Sequence, residues 1–209
     1  MTGYWLQRQV VPLTPAQVNN LQLEDIPAFD RSAVTAWRPQ VADVSDYWVL
    51  GSMLLPATLM LHPRMRQDAG AIALVYAETF SLNTGLTFLT KVAAGRTRPY
   101  AYLDSGTDID LAALQLEPDA RLSFYSGHTS SAAAISFMTA RLYSLYFPNS
   151  RAKPYVWVAA AVVPGVAGWM RVRAGKHFPS DVVAGYLTGM AIGITVPSLH
   201  QSRVAKRLR

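Results

Sequence analysis

The sequence predicts an all-α fold, namely a helical bundle with about five membrane-spanning helices and a short N-terminal interfacial helix. The main observation is five apolar segments of 15 to 22 residues, close to the roughly 20 that an α-helix needs to cross a bilayer. Charged residues also make up only 15% of the chain, whereas soluble domains average roughly 25%. The alternative is a soluble helical bundle with unusually apolar core helices. The segments are 47–61, 69–90, 129–147, 154–170 and 182–199.

These segments divide the 209 residues into three parts. Residues 1–46 are mixed and mostly polar, and we expect an N-terminal arm or an interfacial helix there. Residues 47–199 contain all five apolar segments and are expected to form the helical core. Residues 200–209 form a basic C-terminal tail.

Within the N-terminal arm, the first residues of one short helix can be recognised. Thr14 is a residue type that caps helices well, and Pro15 suits the first helical position, where no backbone N–H is needed. This pair predicts a helix that runs toward Leu23. No basic stretch followed by a long apolar run stands at the start of the sequence, so no signal peptide is visible.

The distribution of positive charge predicts an orientation in the membrane. The formal net charge is +6, and eight of the 19 lysines and arginines lie in two loops and the tail. With five spans, these three places share one side, which the positive-inside rule makes cytoplasmic. Loops 91–128 and 171–181 then share the opposite side. The eight residues are Arg64, Arg66, Arg151, Lys153, Arg203, Lys206, Arg207 and Arg209.

The first candidate functional run lies at the end of the second apolar segment and contains Lys91, Arg98 and Pro99. Lys91 and Arg98 are seven residues apart, about two helical turns, so they share a face if the helix continues between them. Two cations on one face suit a dianion. Taken alone, the same residues fit a basic flank whose side chains reach out of the membrane, and the sequence does not separate the two interpretations.

A second run, Ser126-Gly127-His128, stands just before the third apolar segment. Gly127 allows the backbone to approach an anion closely, and a helix start supplies N–H donors with a favourable dipole. His128 is suited to donate a proton. Taken alone, these residues fit a capped helix start with an incidental histidine better than they fit a site.

The third run places Arg171 six residues before His177, and His177 four residues before Asp181. A histidine and an aspartate at that spacing meet if the chain turns helically between them, which fixes the imidazole tautomer and stabilises its charged form. Arg171 adds a guanidinium that can hold an anion with two hydrogen bonds. Taken alone, Arg171 and His177 fit a polar membrane interface.

Together, in this order and near the ends of apolar segments, the three runs resemble the type-2 phosphatidic acid phosphatase superfamily, which includes lipid phosphate phosphatases and vanadium haloperoxidases. The resemblance covers residues 69–199. Tyr125 stands where the family usually has proline before Ser-Gly-His, and Met170 stands where it usually has serine before the arginine. Neither position carries the reacting proton or the nucleophile, so we expect activity to be retained. Many membrane members have six spans, one more than predicted here.

The resemblance implies a metal-independent phosphatase that works through a phosphohistidine intermediate. His177 would be the nucleophile, Asp181 would hold its other ring nitrogen, and His128 would protonate the leaving group and later activate water. The residues expected to bind the phosphate are Lys91, Arg98, Ser126, Gly127 and Arg171. The neighbouring cations expected to contact lipid headgroups or the rim of the site are Arg96, Arg173 and Lys176.

The resemblance further implies a multi-pass enzyme of the bacterial inner membrane, with its active site facing the periplasm or exterior and its C-terminus in the cytoplasm. The expected substrate is a lipid phosphate monoester or a prenyl pyrophosphate. No cofactor or metal is expected, since the chain has four histidines, no cysteine and no carboxylates at metal-site spacing. Nucleic acid is not expected as a partner, because no basic, aromatic-rich stripe occurs. The alternatives are a soluble, broad-specificity acid phosphatase, a vanadium haloperoxidase, and a lipid-binding membrane protein with a degenerate site.

Overall fold

The structure is a computed structural model that describes residues 10–201, and this range is helical without any strand. The fold class predicted from the sequence is therefore confirmed. The α-helices described are α1 Pro15–Asn19, α2 Pro39–Met53, α3 Leu55–Leu59, α4 Pro63–Gln67, α5 Ala69–Ala94, α6 Ile109–Gln115, α7 Gly127–Tyr146, α8 Lys153–Arg173 and α9 Pro179–Leu199. Short 3₁₀ helices occur at Leu23–Asp25, Arg31–Ala36, Pro99–Tyr102 and Pro118–Arg121.

Helix α1 begins where the sequence predicts. Thr14 Oγ1 accepts a hydrogen bond from the backbone N–H of Gln17 at 3.3 Å, and Gln17 Oε1 accepts one from the N–H of Thr14 at 2.9 Å. These reciprocal bonds satisfy two backbone donors at the helix start. The helix ends at Asn19, short of the predicted Leu23.

The helix of the first predicted span begins before its uncharged segment. That segment begins at Tyr47. Because Asp43 and Asp46 precede it, we expect the helix to start in the membrane interface; α2 begins with Pro39 at its first position. α2 ends at Met53, and α3 follows with Pro56 in its first turn. Proline lacks a backbone N–H, so the hydrogen-bond pattern of α2 cannot continue across this point. The expected boundary between residues 46 and 47 falls inside α2.

Helix α5 carries the first cationic residue of the candidate site and ends before the second. The helix runs to Ala94 and is closed by Gly95, whose φ of +53° lies in the left-handed region that favours glycine. The N–H of Gly95 donates to the carbonyl of Lys91 at 3.0 Å. Arg98 therefore lies beyond the helix, and the condition for a shared helical face with Lys91 is not met.

Helix α7 is central in the bundle and contacts α9, α8, α5, α2 and α3. Its contact with α9 is close because Gly185, Gly189 and Gly193 of α9 face the backbone of α7. A Cβ atom at Gly189 would lie 2.1 Å from the carbonyl oxygen of Ser130, so no side chain fits there. Small residues that let two backbones approach in this way are characteristic of helix contacts in membranes.

Chain direction brings the three candidate runs to one end of the bundle. α5 and α8 finish at this end while α7 and α9 start there, so residues 91–98, 126–128 and 171–181 are neighbours. The two predicted basic loops lie at the opposite end, although residues 64–66 form part of the short helix α4 and Lys153 begins α8. The three motifs thus belong to one site, and the basic loops lie away from it.

Two of the described helices, α8 and α9, are long and apolar enough to cross a bilayer by length and composition. Large apolar side chains are exposed on the outside of the bundle, including Leu89 of α5 at 63% and Trp169 of α8 at 62%. Such a surface suits contact with lipid tails. The count of five spans stays a prediction. The basic residues of the predicted tail, between 203 and 209, lie outside the described residues.

Candidate active site

A cavity of about 560 Å³ lies at the end of the bundle where the candidate runs meet. This volume is within the usual range of small-molecule sites. Its wall combines cations, acids and two histidines with apolar side chains from α2 and α5. Six of the predicted site residues line the cavity, namely Lys91, Arg98, Gly127, His128, Arg171 and His177.

His177 lies in the turn between α8 and α9 and is 1% exposed. Its Nε2 is 3.2 Å from a terminal guanidinium nitrogen of Arg98. Arginine can only donate a hydrogen bond, so we assign Nε2 as the acceptor and Nδ1 as the protonated nitrogen. In this arrangement the lone pair of Nε2 is engaged by Arg98, and a phosphate drawn to the guanidinium would bring its phosphorus close to the same nitrogen.

Burial lowers the pKa of His177 well below its ordinary value, and the positive charges of Arg98, Lys91 and Arg171 lower it further. The imidazole is thus neutral near pH 7. A protonated ring has no free lone pair, whereas the neutral ring has one. The cations that surround the site therefore also keep His177 in its nucleophilic form.

Asp181 lies in the first turn of α9 and is fully buried. Its Oδ2 is 3.7 Å from His177 Nδ1, which is longer than a hydrogen bond. The same oxygen accepts hydrogen bonds from Ser123 Oγ at 2.6 Å and from the N–H of Phe178 at 2.9 Å. Among residues 10–201, Nδ1 of His177 has no hydrogen-bond partner. The structure thus brings the two predicted residues together, but with the carboxylate hydrogen-bonded elsewhere.

Arg98 is a buried cation that is held from two directions. Its Nε donates to the carbonyl of Asp119 at 2.9 Å, and one terminal nitrogen donates to Asp119 Oδ1 at 2.8 Å. The other terminal nitrogen donates to the carbonyl of Lys176 at 2.7 Å. Burial raises the pKa of Asp119, but the charges of Arg98 and Lys91 outweigh it and hold this pKa below its ordinary value. Asp119 is therefore ionised, and it fixes the guanidinium beside His177.

Lys91 and Gly127 lie side by side in the cavity wall. The ammonium of Lys91 donates a hydrogen bond to the backbone carbonyl of Leu122. A Cβ atom added to Gly127 would lie 3.2 Å from a methyl group of Thr87 and 3.8 Å from Lys91 Cε. Glycine therefore leaves the first turn of α7 open beside a cation, which gives an anion access to the helix start.

Ser126 does not line the cavity, in contrast to its predicted role in phosphate binding. It is fully buried, and its Oγ caps α7 by accepting a hydrogen bond from the N–H of Thr129 at 3.4 Å. Ser126 Oγ also lies 2.9 Å from Thr129 Oγ1. The free N–H groups at a helix start require such an acceptor, and this requirement engages the hydroxyl.

His128 lies in the first turn of α7, ahead of the apolar run 129–147, and its Nε2 is 2.7 Å from Asp46 Oδ1. Arg171 donates to the same oxygen at 3.1 Å and to Ser45 Oγ at 2.9 Å. Burial and the charge of Arg171 lower the pKa of His128 to about 4, against the opposing effect of Asp46. His128 is therefore neutral near pH 7 in this arrangement.

Lys176 lies in the cavity wall beside His177. Its ammonium is 4.8 Å from the ring centroid of Tyr100 and 5.7 Å from the nearest ring centroid of Trp37, both within cation–π range. Burial, and then the charge of Arg98, lowers the pKa of Lys176 to about 8. The contact of Lys176 with a lipid headgroup or the rim of the site stays a prediction.

The prediction of a rim or headgroup contact is wrong for Arg96, which does not line the cavity. Its guanidinium donates to Asp181 Oδ1 at 2.5 Å and to Asp30 Oδ2 at 2.7 Å. Two buried carboxylates hold a guanidinium more strongly than the solvated rim does, because each forms a charge-assisted hydrogen bond. Arg173 does not line the cavity either.

Three acidic residues that form ion pairs with arginines at or behind the site were not predicted from the sequence, namely Asp30, Asp46 and Asp119. For Asp46 a signal existed, because an acid next to an apolar helix segment is costly unless it has a partner. Asp30 and Asp119 contact residues at least 21 positions away in the chain. No local pattern indicates such contacts.

The two departures from the family pattern are buried residues outside the cavity wall. The hydroxyl of Tyr125 accepts a hydrogen bond from Thr87 Oγ1 at 3.3 Å, and Met170 packs in the interior of α8. Tyr125 and Met170 therefore pack in the interior and do not contact the cavity.

Residues 10–201 contain no group of three or more His, Asp or Glu side chains placed to hold a metal ion.

Several known proteins are similar to this chain. A protein-family model described as the PAP2 superfamily matches residues 70–205. A decaprenylphosphoryl-5-phosphoribose phosphatase of Mycobacterium tuberculosis is 28% identical over 165 residues, which are 78% of this chain and 76% of that protein. A phosphatidylglycerophosphatase B of Bacillus subtilis is 30% identical over 92 residues, 44% of each protein.

A similar solved structure is the crystal structure of a transmembrane PAP2-type phosphatidylglycerolphosphate phosphatase from Bacillus subtilis. The TM-score is 0.60 at 20% identity, and the alignment covers 96% of this chain and 93% of the other. At this identity the likeness concerns the fold. The helical bundle is thus one that a transmembrane protein also adopts.

Proposed function

Because the chain belongs to the PAP2 superfamily, we propose that it is a membrane lipid phosphatase that hydrolyses a phosphate monoester or a prenyl pyrophosphate through a phosphohistidine intermediate. The observation that carries the proposal is the environment of His177. This imidazole is buried and neutral, its Nε2 lies 3.2 Å from Arg98, and it lines a cavity together with Lys91, Arg98 and Arg171. A lipid-binding surface without chemistry needs no such nucleophile.

In the first step, Nε2 of His177 attacks phosphorus in line with the leaving oxygen. The Nε2–P bond forms while the P–O bond to the leaving group breaks, and the ring becomes positively charged because Nδ1 keeps its proton. Asp181 Oδ2, 3.7 Å from Nδ1, stabilises this charge. A small shift of either side chain converts the proximity into a hydrogen bond.

His128 supplies the proton for the leaving oxygen. Burial and the charge of Arg171 lower its pKa, and a phosphate bound between the two residues neutralises that charge. The negative charge of the phosphate also favours the protonated form of His128 directly. The substrate therefore raises the pKa of His128 and converts it into the acid, so that the leaving group departs as an alcohol or a protonated phosphate.

In the second step, water hydrolyses the phosphohistidine. His128, neutral after the first step, takes a proton from the water as the new O–P bond forms and the Nε2–P bond breaks. Inorganic phosphate leaves, and His177 returns to the neutral imidazole. The proton that His128 gave up in the first step is replaced, so the cycle closes.

Charge on the transferred phosphoryl group spreads over its three non-bridging oxygens. Lys91, Arg98 and Arg171 are the cations that would stabilise these oxygens, together with the N–H groups at the start of α7 near Gly127. Arg98 is already fixed by Asp119, so little reorganisation is needed when the substrate binds. Stabilisation by groups already in place is usually the largest contribution to such catalysis.

A lipid suits the remainder of the cavity. Val49 of α2 and Phe88 of α5 line it beside the cations, which favours a hydrocarbon next to the phosphate. One relative is named for decaprenylphosphoryl-5-phosphoribose and another for phosphatidylglycerophosphate, so both names describe a phosphate attached to a lipid. We infer the same chemical class for this substrate.

The proposed active site faces the periplasm or exterior of a bacterial inner membrane. The basic loops at residues 64–66 and 151–153 are at the opposite end of the bundle, and the positive-inside rule assigns that end to the cytoplasm. α9 ends there as well, which supports a cytoplasmic C-terminus. The substrate phosphate would accordingly be removed at the outer leaflet.

Phosphate release from a panel of lipid phosphates and prenyl pyrophosphates in detergent tests the proposed function. We expect the wild type to act on at least one of them and His177→Ala to lose about 10³-fold or more of the rate. His62→Ala is a matched control, since His62 caps α4 at the opposite end of the bundle. Equal phosphate release by the wild type and His177→Ala would show that His177 is not the nucleophile.

Two further measurements test the intermediate and the membrane assignment. A phosphoenzyme trapped with labelled substrate should be stable to alkali and labile to acid, and should be missing from His177→Ala. After carbonate washing, the protein should stay with the membranes until detergent is added. Recovery in the soluble fraction without detergent would favour the broad-specificity acid phosphatase instead.

A further inference from the structure

Arg96, which has no role in the proposed mechanism, forms a bridge between Asp181 and Asp30 behind the proposed nucleophile. One terminal nitrogen of its guanidinium donates to Asp181 Oδ1 at 2.5 Å and to Ser180 Oγ at 2.7 Å. The other terminal nitrogen donates to Asp30 Oδ2 at 2.7 Å. The guanidinium carbon also lies 4.2 Å from the ring centroid of Phe178. Both terminal nitrogens and one face of the guanidinium therefore have partners.

Asp30 ties this bridge to the N-terminal segment of the chain. It is 1% exposed, its Oδ1 accepts a hydrogen bond from the N–H of Ser180 at 2.9 Å, and its Oδ2 accepts one from Ser180 Oγ at 2.6 Å. The following 3₁₀ helix packs Ala33 and Val34 against Phe178. Asp30 lies outside the matched family region, so these contacts belong to the part of the chain before it.

The bridge determines how the Asp181 carboxylate is presented. Arg96 holds Oδ1, so the other oxygen, Oδ2, is the one that faces His177 Nδ1 at 3.7 Å. Arg96 is also the cation bonded to this fully buried carboxylate. A buried carboxylate that loses its cation carries an uncompensated charge and rearranges or takes up a proton. In either case its interaction with the imidazole changes.

We propose that Arg96 and Asp30 are positioning residues for the phosphatase reaction, which hold Asp181 in the orientation that stabilises the imidazolium of phosphorylated His177. This inference rests on the proposed function. Asp30 fixes Arg96, Arg96 fixes Asp181, and Asp181 acts on the ring. Neither Asp30 nor Arg96 lines the cavity. They should therefore influence the rate of the chemical step and leave substrate binding unchanged.

The first test separates kcat from KM. Arg96→Gln should lower kcat about 10- to 100-fold, the range seen when a partner behind a reactive group is lost, with KM changed less than twofold. Arg96→Lys keeps one charged donor and should recover part of the loss. Arg64→Gln, an exposed arginine at the opposite end of the bundle, is the matched control and should match the wild type. A raised KM with unchanged kcat would show that Arg96 contacts substrate and would overturn the proposal.

The deciding test is a double-mutant cycle with Asp181→Asn. If Arg96 acts through Asp181, then Arg96→Gln should cause no further loss of kcat in the Asp181→Asn background. Multiplying losses would show independent, merely structural roles and would overturn the proposal. An Asp181→Asn variant with wild-type kcat would overturn it too. All variants are compared as monodisperse protein of equal size-exclusion profile.

Asp30→Asn provides a second cycle if Arg96→Gln does not fold. An asparagine keeps the oxygen that accepts from the N–H of Ser180, but it loses the charge and the second acceptor oxygen, which bonds Arg96 and Ser180 Oγ. The effect of Asp30→Asn on kcat should likewise vanish in the Asp181→Asn background, and losses that multiply would show that Asp30 does not act through Asp181.

The His177→Ala variant separates the proposed function from the proposed roles of Arg96 and Asp30. If this variant is active, the proposed function fails, whereas an inactive variant with multiplying losses in the cycles refutes only the roles of Arg96 and Asp30.

Discussion

Asp46 Oδ1 lies 2.7 Å from His128 Nε2, and Arg171 donates to the same oxygen at 3.1 Å. A carboxylate thus stands between the proposed acid and a proposed phosphate-binding guanidinium. A phosphate that reaches Arg171 must compete with this carboxylate. Asp46 consequently reduces the affinity of the cavity for anions and leaves less room for a phosphate product.

Replacement of Asp46 by asparagine should strengthen phosphate binding. The Asp46 side chain is 59% exposed, so its pairing with Arg171 is screened by water, and its loss should lower the inhibition constant of inorganic phosphate about two- to fivefold. Competition of phosphate with a lipid substrate in detergent measures this constant. Asp43→Asn is the control, because Asp43 also lines the cavity and carries the same charge. Equal effects of both variants would show that only the overall charge of the wall matters.

The charge of Lys176 should make substrate binding depend on pH. Its pKa is lowered to about 8, so the ammonium is charged below this pH and loses its charge above it. KM for an anionic lipid phosphate should therefore rise above about pH 8, or somewhat higher because the bound anion raises the pKa of Lys176. In Lys176→Arg the charge persists, so KM should not rise near pH 8 as it does in the wild type. The same rise in wild type and Lys176→Arg would assign it to another group.

A methyl group at Gly189 should destabilise the bundle. The added Cβ would lie 2.1 Å from the carbonyl oxygen of Ser130, so α7 and α9 would have to separate. Overpacking of this kind costs about 1–3 kcal/mol. Thermal unfolding in detergent should show the loss for Gly189→Ala. Gly85→Ala is the matched control, because a Cβ there meets nothing within 4 Å, and alanine should be neutral or stabilising in the helix.

Asp30 should contribute stability that is lost in acid. Burial raises its pKa, but the hydrogen bonds from Ser180 and Arg96 outweigh burial and hold the pKa below 3.8. A carboxyl group with a lowered pKa in the folded state stabilises the fold above its ordinary pKa, and this contribution disappears as the pH falls through the lowered value. Unfolding temperatures from about pH 6 to 2.5 should therefore fall more steeply for the wild type than for Asp30→Asn. Asp104→Asn, at an exposed loop position, should follow the wild type.

The parts of the fold that follow from local chemistry could be predicted from the sequence. Thr14 with Pro15 marks the start of α1, and Ser126 marks the start of α7. Lys91 and Arg98 line one cavity, as the sequence predicts. They do not share a helical face, because Gly95, which lies between them, closes α5. A left-handed glycine at a helix end is compatible with many continuations of the chain, so the sequence alone does not fix the route to Arg98.

Contacts between distant segments could not be predicted. The acids in the first half of α2 suggest an interfacial position, whereas Asp46 reaches His128 across 82 residues of sequence. Arg96 stands between two cavity residues in the sequence but pairs with Asp30 and Asp181 instead. In each case the packing of helices and loops determines the partner, and hydrophobic periodicity does not indicate which distant segments pack together.

The glycine contact between α7 and α9 also limits how this active site can diverge. His128 stands in the first turn of α7 and His177 just ahead of α9, so the close approach of these helices leaves that wall of the cavity little freedom to widen. Room for a bulkier headgroup must come from the facing wall, where Ala42 and Val49 of α2 and Phe88 of α5 lie. Attempts to redesign the substrate range should therefore vary those three positions and leave the glycines untouched.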